Sequence, residues 1–172
     1  LDVSGGGAFD LSGLVDPSGG DIGGGTVAGP MYVSFLTRSH NISPGFEPRF
    51  AGMTLWRDTT EVQSCGGNDA GPWAYSIFGA SGTQDLLTNG VPNTHLSVNR
   101  DTHFFVAKIT FNPLGNDDLT VWLDPDPADK DNQSTGLRSY SGTTIGDLSF
   151  DNYRLRAGSD GAGDEWDFDE IR

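Results

Sequence analysis

Asp160, Asp164, Asp167 and Asp169 form the densest acidic grouping around one turn and one strand of the 172-residue chain. Carboxylate oxygens, completed by loop carbonyls, are the hard ligands that calcium takes. Gly158, Gly161 and Gly163 let the intervening loop fold tightly around an ion. The formal net charge of -14 brings many like charges together on folding. A divalent cation relieves that repulsion. These residues therefore predict one bound Ca2+, held by the four aspartates.

Other polar stretches carry less chemistry. Asp124-Pro125-Asp126-Pro127-Ala128-Asp129-Lys130-Asp131-Asn132 departs from the helix-loop-helix calcium template. Ala128 stands at its fifth position, Asp129 replaces its glycine, and Thr135 replaces its closing bidentate Glu. The stretch reads as a solvated turn stiffened by prolines. His40, His95 and His103 lack metal spacing and read as surface or capping residues, with His103 at a strand entrance. Cys65 is the single cysteine, so no intrachain disulfide forms, and no pattern places a base beside it. It reads as a small buried or partly exposed thiol.

Aromatic residues next to polar ones suit sugars, because a pyranose lays its apolar face on a ring and its hydroxyls on polar side chains. Trp56 stands beside Arg57, and Trp73 follows a glycine-rich stretch two residues before Tyr75. Trp56, Arg57, Trp73 and Tyr75 are the ligand-binding candidates. Trp122, inside the apolar run Leu119–Leu123, reads as core.

Strands must position these groups, since no segment shows a helical period of any length. Met31–Arg38 alternates and buries Met31, Val33 and Phe35. Gly52–Arg57 and Trp73–Gly79 read as further strands. Phe104–Phe111 is the most continuously apolar run and reads as central in a sheet, with Leu119–Leu123 as its antiparallel neighbour. Residues 58–72 and 80–103 read as connections. Val33, Phe35, Phe105, Ile109, Val121 and Leu123 are the expected core.

The last stretch, Asp147–Arg172, reads as two strands joined by a Gly/Asp turn, completing a meander in a two-sheet sandwich. In the second, Trp166 and Phe168 share one face, and Asp167 and Asp169 share the other. Ile171 then falls on the acidic parity, which predicts a β-bulge near Asp169-Glu170.

The length fits a single domain over 1–172 with a sizeable core. The acidic balance disfavours nucleic acid, which needs a basic face, and disfavours anionic membrane surfaces. No apolar run is long enough to span a membrane as a helix. The chain opens abruptly on strand-like residues, as a mature chain or an excised domain whose leader is absent would.

The ending Phe168-Asp169-Glu170-Ile171-Arg172 resembles the closing strand of laminin-G-like, concanavalin A-like jelly rolls of secreted bacterial proteins. Gly5-Gly6-Gly7-Ala8-Phe9, Met31-Tyr32-Val33-Ser34-Phe35-Leu36 and Asp118-Leu119-Thr120-Val121-Trp122-Leu123-Asp124-Pro125 follow the same ordered pattern. The resemblance implies an all-β jelly-roll sandwich of two antiparallel sheets in a secreted, extracellular or cell-surface protein. By analogy it implies a non-catalytic module that binds carbohydrate or an extracellular surface. An alternative comes from Glu165, Asp167 and Glu170, whose E-x-D-x-x-E spacing resembles the catalytic strand of laminarinase-type retaining glycosidases. Those enzymes use one Glu as nucleophile and the other as acid/base, about 5–5.5 Å apart. Here the motif ends the chain instead of lying on a central strand, and Asp169 stands where an apolar residue is usual. A third reading is a structural subunit that self-associates through sheet edges.

Overall fold

The computed structural model describes residues 12–40, 50–67, 75–79, 82–85, 98–125, 138–140, 145–157 and 165–169. Within them the protein is all-β, apart from one 3-10 turn at Ser12–Leu14. Three antiparallel sheets are present, two of five strands and one of two. Among the described residues no helix is long and apolar enough to cross a membrane.

The first large sheet is built on β2 (Gly29–Ser39), β7 (His103–Phe111) and β8 (Asp118–Leu123). Strict alternation on each strand sends one set of side chains inward, because successive residues of a strand point to opposite faces. Val33 and Phe35, then Phe105, Ala107 and Ile109, then Leu119, Val121 and Leu123 are buried. All six residues expected in the core lie there. Registers Phe35↔Phe105 and Phe105↔Leu123 align the three buried rows. β9 (Arg138–Tyr140) and β12 (Trp166–Asp169) flank them in the order β12-β2-β7-β8-β9, so β7 holds the expected central place.

The second large sheet runs β11-β3-β4-β5-β6, with β3 at Ala51–Arg57, β4 at Thr60–Gly67, β5 at Tyr75–Gly79, β6 at Gly82–Asp85 and β11 at Asn152–Ala157. β4 and β6 fall in stretches that read as connections. In β4 the inward positions are Gln63, Cys65 and Gly67, which pair with the β3 and β5 ladders but show no apolar alternation. At Gly67 a Cβ would lie 2.9 Å from the ring of Trp166, so a larger residue would force that ring to shift. The bulk missing from β4 is supplied by the opposite sheet. The register slips at Leu55/Trp56, where Leu55 opposes Gln63 but Trp56 opposes Glu61, leaving Val62 as the extra residue of a bulge.

The two sheets pack face to face through aromatic rings. Phe35 stacks on Phe105 with centroids 5.2 Å apart, and Tyr75 meets Phe105 edge-on at 5.5 Å from the other sheet. Phe168 tilts against Phe35 at 6.0 Å. Offset and edge-on contacts of this kind suit the ring quadrupole and add to the burial of apolar area.

A short ribbon of β1 (Ile22–Gly23) and β10 (Ser149–Phe150) closes one end of the core. Gly23 has φ 77°, and a Cβ there would lie 2.3 Å from the Phe111 ring and 2.4 Å from the Leu148 carbonyl. Asp117, buried beneath this ribbon, accepts the backbone N–H groups of Asn112 and Leu148. Burial pushes its carboxyl above the ordinary value, although those two bonds pull the other way.

The closing strands differ from the expected hairpin. The run Leu148–Arg156 breaks at Asp151 into β10 and β11, and the Asp151 carboxylate accepts the Asp58 backbone N–H. β11 then pairs with β3 in one sheet, whereas β12 pairs with β2 in the other. The end of the chain therefore ties the two sheets together and does not extend a meander. β12 keeps an unbroken register through Asp169↔Leu36, and Glu170, the other residue of the expected bulge, lies outside the described residues with Ile171. Trp122 corrects the core reading. It occupies the outward parity of β8 and is half-buried on the outer face.

Candidate functional site

The alternation that fills the core also composes the outer face of the first sheet. Three ladder rows cross it. Tyr32 lies opposite Lys108 and Lys108 opposite Thr120; Ser34 opposite Val106 and Val106 opposite Trp122; Leu36 opposite Phe104. Tyr32 is 58% exposed, and the Lys108 ammonium lies 5.9 Å from its ring centroid. Phe104, Val106, Leu36 and Trp122 are half-buried. Strand spacing and rise per residue place Tyr32 and Trp122 about 12 Å apart on one surface. The result is a broad face of aromatic and aliphatic groups set among hydroxyls and one ammonium. Such a face offers stacking and hydrogen bonding together.

At one side of this face stand two of the sequence-predicted carboxylates. Asp167 and Asp169 both point outward from β12, opposite Arg38 and Leu36. A small pocket of about 180 Å³ lies among Leu36, Thr37, Arg38, Thr102, Asp167 and Asp169. That is below the usual size of a ligand cavity and suits an ion with its waters or one charged group. His40 Nε2 lies 2.5 Å from Asp167 Oδ2, and the His40 backbone N–H donates to the Glu165 carbonyl. Asp160, Asp164 and Glu170 lie outside the described residues, as does Trp73. Among the described residues no cluster of three or more His, Cys, Asp or Glu side chains could hold a metal. Of the four expected calcium ligands, then, β12 brings Asp167 and Asp169 together. Of the three carboxylates in the glycosidase pattern, exposed Glu165 and Asp167 are described, and Glu165 falls just before β12.

The aromatic candidates separate. Trp56 and Arg57 end β3 in the second sheet. The Arg154 guanidinium covers the Trp56 ring at 4.5 Å, and the indole N–H donates to Thr54 Oγ1 at 2.8 Å. Arg57 pairs with Asp21 at 3.0 Å. Both therefore brace β3 against its neighbours. Tyr75 is fully buried, and its ring belongs to the core. Among the described residues its hydroxyl has no hydrogen-bond partner, and burial first, then Asp124 and Asp101, push it far above the ordinary tyrosine range.

His103, expected at a strand entrance, opens β7 and is more than a cap. Its Nδ1 lies 2.5 Å from Asp124 Oδ2 and its Nε2 lies 2.8 Å from Asn99 Oδ1. Burial works to raise the Asp124 carboxyl, but hydrogen bonds from His103 and the Phe104 backbone N–H outweigh it and hold the group below its ordinary value. Cys65 is buried, and burial pushes its thiol up to about 12, so it is no nucleophile at neutral pH.

Sequence reasoning missed Phe104 and Trp122 as surface groups, whereas the alternation of Met31–Arg38 already set Tyr32 opposite the buried face. The signal was present in Leu119-Thr120-Val121-Trp122-Leu123, where Trp122 shares the parity of Thr120 and not that of the aliphatic residues.

No family model, curated protein or solved structure matches the chain.

Proposed function

We propose that the protein is a secreted, non-catalytic module of concanavalin A-like jelly-roll type that binds carbohydrate at a cell or extracellular surface, stabilised by calcium. The observation that carries this reading is the outer face of the first sheet. Trp122, Phe104 and partly exposed Tyr32 lie there among Ser34, Lys108 and Thr120. Rings take the apolar face of a sugar, and hydroxyls and the ammonium take its polar edge. A sheet is rigid, so little order is lost on binding. The calcium part rests on Asp167 and Asp169 sharing the rim of that face. The acidic balance of the chain favours a neutral glycan over an acidic one. Binding to a panel of immobilised glycans, with calcium and with chelator, tests the reading, and a protein that binds none of them would remove it.

A further inference from the structure

His103 meets an acceptor at each ring nitrogen, and the orientation of each acceptor is fixed independently. The Asp101 backbone N–H donates to Asn99 Oδ1 at 2.7 Å, so this amide presents oxygen, not NH2, to Nε2. The Phe104 backbone N–H donates to Asp124 Oδ1 at 2.7 Å, which leaves Oδ2 facing Nδ1. A neutral imidazole has one N–H and one lone pair. It would set that lone pair against an oxygen at one of the two contacts. The imidazolium donates at both.

We infer that His103 is a doubly protonated clasp, and that loss of one ring proton turns the Asn99 amide and frees residues 99–102 from the entrance of β7. With the remaining proton on Nδ1, toward the carboxylate, Nε2 becomes an acceptor. Turning the Asn99 amide satisfies it with NH2 but takes the oxygen away from the Asp101 N–H. Left unturned, the amide sets its oxygen lone pair against that of Nε2, a repulsion that the turned amide replaces with one unmade bond, so the ring charge selects between two arrangements.

The groups facing the ring come from several elements. Asp124 approaches from the end of β8, and Asp101 lies in the segment itself. The Tyr75 ring from β5 meets it edge-on at 5.1 Å, and Thr37 of β2 lies opposite it in the ladder. Of these groups, the Asp124 carboxylate is the one in hydrogen-bond contact with the ring. The same segment reaches the rim of the outer face. Arg38 Nε donates to the Arg100 carbonyl at 3.1 Å, and Thr102 lines the pocket beside Asp167 and Asp169. Coupling of the clasp to glycan binding rests on the proposed function, whereas the clasp itself does not.

Residue-resolved NMR of the intact chain across neutral pH tests it. Ring 15N shifts of His103 report its charge, and exchange of the Asp101 amide reports the segment. After division by the intrinsic, base-catalysed rate at each pH, the protection of the Asp101 amide is expected to fall tenfold or more as the ring loses a proton, the effect of losing one hydrogen bond in a charged network. That step should vanish in His103→Gln and in Asn99→Ala, the second of which leaves the Asp124 contact in place. An Asp101 amide that stays protected beside a neutral ring, or a step that persists in Asn99→Ala, overturns the clasp.

Discussion

Trp166 stands over Gly67 across the sandwich, with its ring 2.9 Å from where a Cβ at position 67 would lie. The two residues belong to different sheets, β12 and β4, so this contact measures how closely the sheets approach. Gly67→Ala should destabilise the protein by about 1–3 kcal/mol, the usual cost of overpacking. In a Trp166→Ala background the same substitution should cost much less, because the clashing ring is gone. A double-mutant cycle by urea denaturation measures the difference. Additive costs would mean that the two side chains do not meet.

Much of the fold was legible where one residue pattern served one purpose. Phe35, Phe105 and Val121 sit in strands whose alternation matches burial on one face, and they lie in the core as expected. β4 was hidden because Gln63, Cys65 and Gly67 occupy its inward side, and Trp166 from a distant stretch fills the space. The partition of the last two strands was also hidden, since nothing local to Asp151 states which sheet each side will join. Tyr75 shows the limit at the site. It follows Trp73 and a glycine-rich stretch, which suggested a ring at a surface, yet its ring is captured in the core by His103 and Phe105.

Asp124 should make stability depend on acid. Its carboxyl is held below the ordinary value by His103 and the Phe104 N–H against the opposing effect of burial. The stabilisation is therefore complete above the unfolded value of about 3.9 and is lost as pH falls through the lower folded value. Asp124→Asn keeps the positive φ of 50° that Asn tolerates. Urea midpoints measured into the acid range should fall less steeply for the variant than for the wild type. Parallel profiles would show that the pair with His103 does not contribute.

Calcium should raise the melting temperature. A ligand that binds the native state alone stabilises it by about 2.7 kcal/mol at a hundredfold excess over Kd. The proposed ligands include Asp167 and Asp169, which share the outward face of β12. Asp169→Ala should erase the difference between calcium and chelator. After exhaustive metal removal, equal melting temperatures of the wild type in millimolar calcium and in chelator would rule out the site.

Glycan binding by wild type, Trp122→Ala and Tyr32→Ala bears most directly on the proposed face. Both rings lie on the outer side of the first sheet, away from the core rows, so neither substitution should unfold the protein. The proposed face predicts that the wild type binds at least one immobilised neutral glycan and that Trp122→Ala binds it roughly tenfold more weakly or worse, the loss of an aromatic anchor. Undiminished binding by both variants, or no glycan binding by the wild type with calcium present, would contradict it.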